Sequence, residues 1–160
     1  MKLLVIGHAR HGKDTVCDIL KARYGFKFTS SSDFCNAEIV FPALQAKYQY
    51  TSLHHCYIDR VNHRKEWHDL IHEYNKDARL VTEILAKYDV YCGLRNRQEF
   101  EESKHLFDYV IWVDASERLP PESLDSMQLG IHDADIVIDN NGDQDDLIAI
   151  IDDLVKILEE

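Results

Sequence analysis

Near its start the chain reads Gly7-His8-Ala9-Arg10-His11-Gly12-Lys13, which matches the pattern GxxxxGK. The apolar run Lys2–Ile6 comes directly before it, and an unbroken run of Leu, Val and Ile is typical of a buried parallel strand. Apolar residues then recur at helical spacing over Lys13–Tyr24, and Gly25 is a typical stop for a helix. A strand, a glycine-bounded loop and a helix therefore follow one another, which is the context that gives the pattern its meaning.

In that context the loop is predicted to bind the phosphates of ATP. Glycines let the backbone wrap around a phosphate, successive amide N–H groups point inward, and the helix adds the positive end of its dipole. Lys13 is expected to bridge the β- and γ-phosphates. The predicted ligands are the residues of the loop: Gly7, His8, Ala9, Arg10, His11, Gly12 and Lys13. The side chains of Arg10 and His11 either contact phosphate or face solvent, and a chance match in a turn before a helix is the alternative for the whole motif.

The residue after the lysine departs from the usual pattern. Asp14 stands where Ser or Thr ordinarily contacts Mg²⁺, and Thr15 follows it. A carboxylate is also a hard oxygen donor, so Asp14 is predicted to hold Mg²⁺ directly or through water. GKDT favours a kinase for a small substrate over a GTPase or a motor. Gly93, not an acid, ends the third predicted strand, so metal binding depends on Asp14, with Asp33 or Asp114 as further candidates.

Strands and helices alternate along the chain. Strands are predicted at Lys2–Ile6, Phe26–Ser30, Asp89–Gly93, Tyr109–Asp114 and Ile136–Asp139, and helices at Lys13–Tyr24, Asp33–Tyr48, Leu53–Asn75, Ala78–Lys87, Arg97–Leu106 and Asp143–Leu158. This alternation predicts an α/β fold with a doubly wound, five-stranded parallel sheet flanked by helices. Phe26–Ser30 is also compatible with a loop, and Pro42 is predicted to break or kink its helix. Ser116–Gly130 is predicted to be a short lid.

Composition places further bounds on the protein. Its 160 residues fit a single domain over 1–160, and no apolar run approaches the roughly 20 residues of a membrane helix. The apolar start is too short for a signal peptide, and four widely spaced cysteines without a CxxC pair predict a reduced, cytoplasmic setting. Eighteen Lys and Arg against 29 Asp and Glu give a net charge of −11, which argues against tight nonspecific binding of DNA. A small basic site inside an acidic surface is still compatible with that balance.

Asp33 is the first candidate on the acceptor side. It follows the second predicted strand, and ligands of doubly wound sheets bind at the carboxyl ends of the strands. Asp33 is therefore predicted to accept the proton of the acceptor hydroxyl as a general base. The structural alternative is a helix N-cap formed by Ser32 or Asp33.

The segment Tyr57–Trp67 holds the densest group of cations in the chain. Arg60 and Arg64 are four residues apart and share one face if the segment is a continuous helix, so both can grip phosphate oxygens. His63 and Lys65 extend this group, and Trp67 is predicted to offer a stacking surface for a base. The alternative is a solvated helix face with Trp67 in the core.

Further candidates follow the other strands. Arg95 and Arg97 come after the third strand and are predicted to bind acceptor phosphate or the transferring phosphoryl group. Arg118, after the fourth strand, is predicted to act on the γ-phosphate from the lid. Asn140 follows the last strand and is expected beside the adenine of ATP, with a plain turn as the alternative.

The stretches GHARHGKDT, FTSSSDF, DRVNHRKEW, YCGLRNRQEFE, VIWVDASER and ADIVIDNNG together resemble the bacteriophage kinases that phosphorylate 5-hydroxymethyluracil in DNA. The resemblance implies a small P-loop kinase of the nucleoside monophosphate kinase type, which transfers the γ-phosphate of ATP with Mg²⁺ to the hydroxymethyl group. That transfer is a step in thymidine hypermodification. GKDT and ADIVIDNNG also resemble deoxynucleoside monophosphate, dephospho-coenzyme A and phosphomevalonate kinases, so phosphorylation of a free nucleotide is the alternative. A third alternative is a nucleotide-binding module without catalysis.

The resemblance also implies roles for individual residues. Lys13 would hold the β- and γ-phosphates, with Asp14 and Thr15 at the metal and phosphates. Asp33 would activate the hydroxymethyl oxygen. The arginines would face the DNA backbone or the transferring group: Arg60, Arg64, Arg95 and Arg97. The implied partner is phage DNA containing 5-hydroxymethyluracil, contacted weakly and locally in the host cytoplasm.

Overall fold

The computed structural model describes all residues 1–160. Its sheet has five parallel strands in the order β2-β3-β1-β4-β5. The strands are β1 (Leu3–Ile6), β2 (Phe28–Ser30), β3 (Val90–Cys92), β4 (Tyr109–Asp114) and β5 (Ile136–Asp139). The sequence predictions of five strands and a parallel sheet are confirmed, and Phe28–Ser30 is a strand rather than a loop.

Eight α-helices surround the sheet. They are α1 (Lys13–Tyr24), α2 (Ser31–Cys35), α3 (Phe41–Tyr48), α4 (Leu53–Asp59), α5 (Arg64–Tyr74), α6 (Leu80–Lys87), α7 (Arg97–Ser103) and α8 (Gln144–Leu158). Three short 3₁₀ turns lie at Arg60–Asn62, Lys104–Leu106 and Ile131–Asp133. No helix combines the length and apolar character needed to cross a membrane.

The central strand β1 is covered on both faces. Leu3 pairs with Val90 of β3 on one side and with Tyr109 of β4 on the other. All four β1 residues are fully buried, which explains why the strand is apolar throughout rather than alternating. One apolar cluster packs against α1 and α8, and a second packs against α6 and α7 on the opposite face.

A third, smaller cluster lies under the segment that precedes β3. It consists of Val40, Leu44, Tyr50, Cys56 and Trp67, from α3, α4, α5 and their connections. This cluster holds α4 and α5 as a separate layer beside the carboxyl ends of β2 and β3. It therefore positions the segment that carries Arg60 and Arg64.

Two helical predictions need correction. The chain does not form one helix over Leu53–Asn75, because α4 ends in a 3₁₀ turn and His63 leaves the helical region with φ −136° and ψ 36°. The helix containing Pro42 is not broken. A π-helical turn at Asn36–Val40 leads into α3, and Pro42 stands in the first turn of α3, where its missing N–H costs little.

Candidate active site

At two positions of the loop between β1 and α1, the backbone conformation and its surroundings admit only glycine. Gly7 has φ +155° and Gly12 has φ +104°. A Cβ on Gly7 would lie 2.7 Å from the carbonyl oxygen of Val113, and one on Gly12 would collide with the side-chain amide of Asn140. The glycines of the sequence pattern therefore let the loop turn tightly against β4 and the end of β5.

Lys13 folds back over this loop. Its Nζ donates hydrogen bonds to the carbonyl oxygens of Gly7 at 3.0 Å and His8 at 2.9 Å. Burial, and then the nearby Arg95 guanidinium, lower the pKa of the ammonium. A cation over a concave, glycine-bounded backbone at a helix N-terminus fits a bound phosphate chain.

A cavity of about 670 Å³ opens from the loop across the carboxyl ends of β2 and β3. It brings together nine of the residues selected from the sequence: Ala9, Arg10, Lys13, Asp14, Asp33, Arg60, Arg64, Trp67 and Arg95. Its volume is in the usual range for a small-molecule site, about 300–1,000 Å³. The residues proposed for phosphate binding and those proposed for the acceptor thus share one continuous space.

Asp33 keeps its carboxylate free for this cavity. The cap of α2 is Ser30, whose Oγ accepts the backbone N–H of Asp33 at 3.1 Å. Since the helix begins at Ser31, neither Ser32 nor Asp33 is the cap. The structural alternative for Asp33 is therefore wrong, and its exposed side chain lines the cavity with Lys13 and Asp14.

Arg60 and Arg64 reach the cavity from two different elements, the 3₁₀ turn and α5. The Arg60 guanidinium lies 3.8 Å from the ring centroid of Tyr57, and its Nη1 donates to the Tyr57 carbonyl at 3.2 Å. Arg64 is exposed. Neither arginine is paired with a carboxylate of the protein, so both are available to an anion in the cavity.

Trp67 contributes less surface than expected. Its side chain is only 7% exposed and packs in the small cluster below α4 and α5, in a T-shaped contact with the ring of Tyr57. The core interpretation of Trp67 is therefore the better one. The aromatic ring more open to the cavity is Tyr57, which is half-buried and already stacks with Arg60.

Arg95 lines the cavity from the segment after β3, and its guanidinium is bound by Glu122 from the loop after β4. The other oxygen of Glu122 accepts the backbone N–H of Ala9 at 2.5 Å. Hydrogen bonds from Arg95 and Ala9 hold the pKa of Glu122 below its usual range, although burial opposes this. Arg95 is therefore beside the phosphate-binding loop, but its charge is balanced within the protein.

Two predicted acceptor residues point elsewhere. His63 lies between two carboxylates, with Nε2 3.1 Å from Asp59 and Nδ1 3.3 Å from Glu66, and its ring stacks on Tyr48. Arg97 is bound by both carboxylate oxygens of Asp133 at 2.8 Å. Neither side chain lines the cavity, and both are held in contacts outside it, which the sequence-based assignment to substrate binding did not foresee.

Three residues predicted to contact the nucleotide make hydrogen bonds within the protein. The ring of His11 is fully buried, and its Nδ1 accepts the N–H of Ala115 at 3.1 Å. The Asn140 amide donates to the His11 carbonyl at 2.9 Å, and the Asn140 carbonyl accepts from Arg118 at 2.7 and 3.0 Å. His11 therefore faces neither phosphate nor solvent, and Asn140 and Arg118 join the loop to the ends of β4 and β5.

The remaining residues of the motif support it from outside the cavity. His8 packs edge-on against Trp112, its Nδ1 accepts the N–H of Glu122 at 3.1 Å, and burial followed by His11 lowers its pKa. Thr15 is exposed on α1. Gly7, Gly12 and Thr15 do not line the cavity.

Sequence reasoning missed several residues of the site. Tyr91 is buried in the middle of β3, and its hydroxyl donates to Glu99 at 3.5 Å. Glu99 lines the cavity, and burial raises its pKa. Tyr91 and Glu99 lie within four residues of Arg95, but no local pattern marks them as site residues. Glu122 reaches the loop from a distant segment of the chain.

Asp14 is the residue best placed to hold a cation beside Lys13. It is exposed and lines the cavity, and its contact there is the Cys92 thiol at 3.5 Å. No group of three or more His, Cys, Asp or Glu side chains is arranged to hold a metal ion by protein ligands alone. One carboxylate next to a phosphate-binding loop fits Mg²⁺, which usually takes its other ligands from phosphates and water.

Comparison with known proteins identifies the fold. No protein-family model matches the chain, and no curated protein sequence matches it. Among solved structures, the shikimate kinase from Aquifex aeolicus VF5 is similar, with a TM-score of 0.54 and 15% identity over 99% of this chain and 96% of that one. With its five-stranded parallel sheet and flanking helices, the chain has the P-loop kinase fold of the nucleoside monophosphate kinase type.

Proposed function

We propose that the protein is an ATP-dependent kinase that transfers the γ-phosphate to the hydroxymethyl group of 5-hydroxymethyluracil in phage DNA. One observation carries the proposal. A single cavity of about 670 Å³ is lined by Lys13 of the phosphate-binding loop, by Asp33, and by Arg60 and Arg64. The Asp33 carboxylate does not cap a helix, and neither arginine is paired with a carboxylate of the protein. A phosphate donor, a base for a hydroxyl and a cationic acceptor site are the three parts that phosphoryl transfer requires.

On the donor side, the protein orients and neutralises the phosphates. The backbone of Gly7–Lys13 surrounds the phosphate chain, and Lys13 exchanges its loop carbonyl contacts for phosphate oxygens. Asp14 would hold Mg²⁺, which supplies further neutralisation of phosphate charge when bound. Arg95 reaches the same region from β3 and would stabilise charge on the phosphoryl group in transfer.

On the acceptor side, Asp33 receives the proton of the attacking hydroxyl. Ser30 caps the helix by accepting the backbone N–H of Asp33, so the carboxylate is not used as a cap. A positioned general base contributes roughly 10²–10⁴ in rate. The base is therefore expected to affect turnover more than nucleotide binding.

Arg60 and Arg64 supply the recognition of the acceptor's phosphate. In DNA this is the backbone phosphate of the modified nucleotide, whose base must leave the stack to reach Asp33. The cavity is large enough for one extruded nucleotide. Contact limited to a few arginines agrees with the net charge of −11, because the remaining surface repels duplex DNA.

The same net negative charge favours a second candidate function, that of a deoxynucleoside monophosphate kinase acting on free nucleotides. A free nucleotide presents its own phosphate to Arg60 and Arg64 and does not meet the rest of the surface. The two candidates share all donor-side chemistry. They differ only in whether the acceptor phosphate belongs to a polymer.

Transfer of radiolabelled γ-phosphate from ATP distinguishes them. We expect label on DNA containing 5-hydroxymethyluracil and none on unmodified DNA of the same sequence. Free hydroxymethyl-deoxyuridine monophosphate and the common deoxynucleoside monophosphates are assayed in parallel. Label confined to free nucleotides would replace the first candidate with the second, and no label on any acceptor would contradict both.

A further inference from the structure

We propose that Glu122 occupies the place of the terminal phosphate of ATP in the resting protein and must be displaced when ATP binds. The inference rests on the proposed function, because it concerns the same phosphate-binding loop. It adds a regulatory element that the loop motif does not contain. Glu122 lies in Ser116–Gly130, the segment predicted to be a short lid.

The surroundings of Glu122 are those of a bound anion. One carboxylate oxygen accepts the Ala9 N–H at 2.5 Å, and the other is bound by the Arg95 guanidinium. Lys13 lies near enough to favour the charged form of the carboxyl. The side chain is only 15% exposed, so this is an enclosed position rather than a surface ion pair.

A metal-binding role for Glu122 does not fit these contacts. Its immediate partners are an N–H group and a cation, which donate hydrogen bonds and repel a metal ion. A phosphoryl group needs the same donors, one amide of the loop and the two cations Lys13 and Arg95. Two anions cannot share this position without a large repulsion, so the carboxylate and the terminal phosphate exclude each other.

The segment around Glu122 is anchored on both sides. Before it, the Nε2 of His11 lies 3.1 Å from the carbonyl oxygen of Pro120. After it, Met127 and Leu129 are buried in the core at 1% and 4% exposure. Between these anchors Leu124 is 85% exposed, so the span from 121 to 126 can move outward while the ends of the segment stay in place.

Displacement of Glu122 lowers the affinity for ATP and leaves that for ADP unchanged. ATP must break the contacts of the carboxylate before its third phosphate reaches Ala9 and Arg95. ADP has no phosphate at that position and binds with Glu122 in place. The ratio of the two affinities therefore measures the competition.

Isothermal titration of ATP and ADP into four proteins tests this. Glu122→Gln keeps the size of the side chain and removes its charge, and Glu122→Ala removes its contacts as well. Glu117→Gln is the matched control, since Glu117 is an exposed carboxylate of the same segment. We expect both Glu122 variants to bind ATP roughly 5–10 times more tightly than wild type, with ADP affinity within about twofold. The control should match wild type for both nucleotides.

Equal or weaker ATP binding by both Glu122 variants, with wild type still binding ATP, would overturn the displacement of Glu122 and leave the proposed function intact. No binding of either nucleotide to any of the four proteins would overturn both. Hydrogen exchange of wild type gives an independent check without a substitution. Saturating ATP should increase amide exchange over 121–126, and ADP should not; an unchanged pattern with ATP would also overturn the inference.

Discussion

The Nε2 of His11 lies 3.1 Å from the carbonyl oxygen of Pro120, and the His11 side chain is fully buried. Because Nδ1 accepts the backbone N–H of Ala115, the proton of the neutral ring is on Nε2, which donates to Pro120. One side chain thus connects the phosphate-binding loop to the segment that carries Glu122. The shape of the loop and the position of the segment are therefore coupled.

Replacing His11 should destabilise the protein and weaken nucleotide binding together. His11→Ala removes two buried hydrogen bonds and leaves a void, so we expect a loss of about 2–3 kcal/mol in the free energy of unfolding. Urea denaturation measures this change. His105→Ala, at an exposed position, is the control and should stay within about 0.5 kcal/mol of wild type. A fully stable His11→Ala protein would show that the ring does not hold the two segments together.

Asp33→Asn should reduce turnover without weakening the binding of ATP. The amide cannot accept the proton of the acceptor hydroxyl, so kcat is expected to fall by roughly 10²–10⁴. The KM for ATP should stay unchanged because the Asp33 side chain makes no hydrogen bond or ion pair with the phosphate-binding loop. Asp18→Asn, at an exposed position of α1, removes the same charge and should leave kcat unaltered. Loss of ATP binding in Asp33→Asn would indicate a structural role instead.

Arg64→Ala should weaken the binding of the acceptor and leave the binding of ATP unchanged. Loss of one cation on the acceptor phosphate should raise the KM for the acceptor by about 10-fold or more, with the KM for ATP unchanged. Steady-state kinetics with each substrate varied separately measures the two values. Arg79→Ala is the control, because Arg79 is exposed and stacks on Tyr74 at 4.0 Å outside the cavity. An equal effect of both substitutions would argue against an acceptor site at Arg64.

The ion pair between Asp133 and Arg97 should make the free energy of unfolding depend on pH in the acidic range. Hydrogen bonds from Arg97 hold the pKa of Asp133 below its usual range, so this contribution is complete above the ordinary aspartate range and is lost as pH falls through the lowered pKa. Asp133→Asn should cost about 1 kcal/mol at pH 7, a modest value because Arg97 is 43% exposed. Denaturation from pH 7 to pH 2 should show the difference from wild type shrinking below about pH 4. A difference that grows in acid would contradict this assignment.

The fold followed from local patterns because its signals are local. The unbroken apolar run of β1, the glycines of the loop and the helical spacing of α1 are adjacent in the chain. Each pattern predicts the structure of its own segment, and the alternation of strands and helices along the chain predicts a parallel sheet. The same reasoning selected Lys13, Asp14 and Asp33, which line the cavity from the starts of the helices that follow β1 and β2.

The acceptor side was less predictable because its contacts join distant segments. His63 fits the cationic pattern, yet Asp59, Glu66 and Tyr48 hold it away from the cavity. Arg97 resembles Arg95 in sequence, but Asp133 binds it from 36 residues further on. Glu122 lies 113 residues from Ala9, so nothing near either residue reveals their contact.

In the proposed function, γ-phosphate transfer depends on Lys13 whichever acceptor is used. Radiolabel transfer from ATP to 5-hydroxymethyluracil-containing DNA should be abolished in Lys13→Ala and retained in Lys21→Ala, a control at an exposed position of the same helix. The expected loss is at least about 10³-fold in rate, since the ammonium stabilises charge only where phosphate is bound. Transfer by Lys13→Ala at the wild-type rate would contradict the assignment of this loop as the site of phosphoryl transfer.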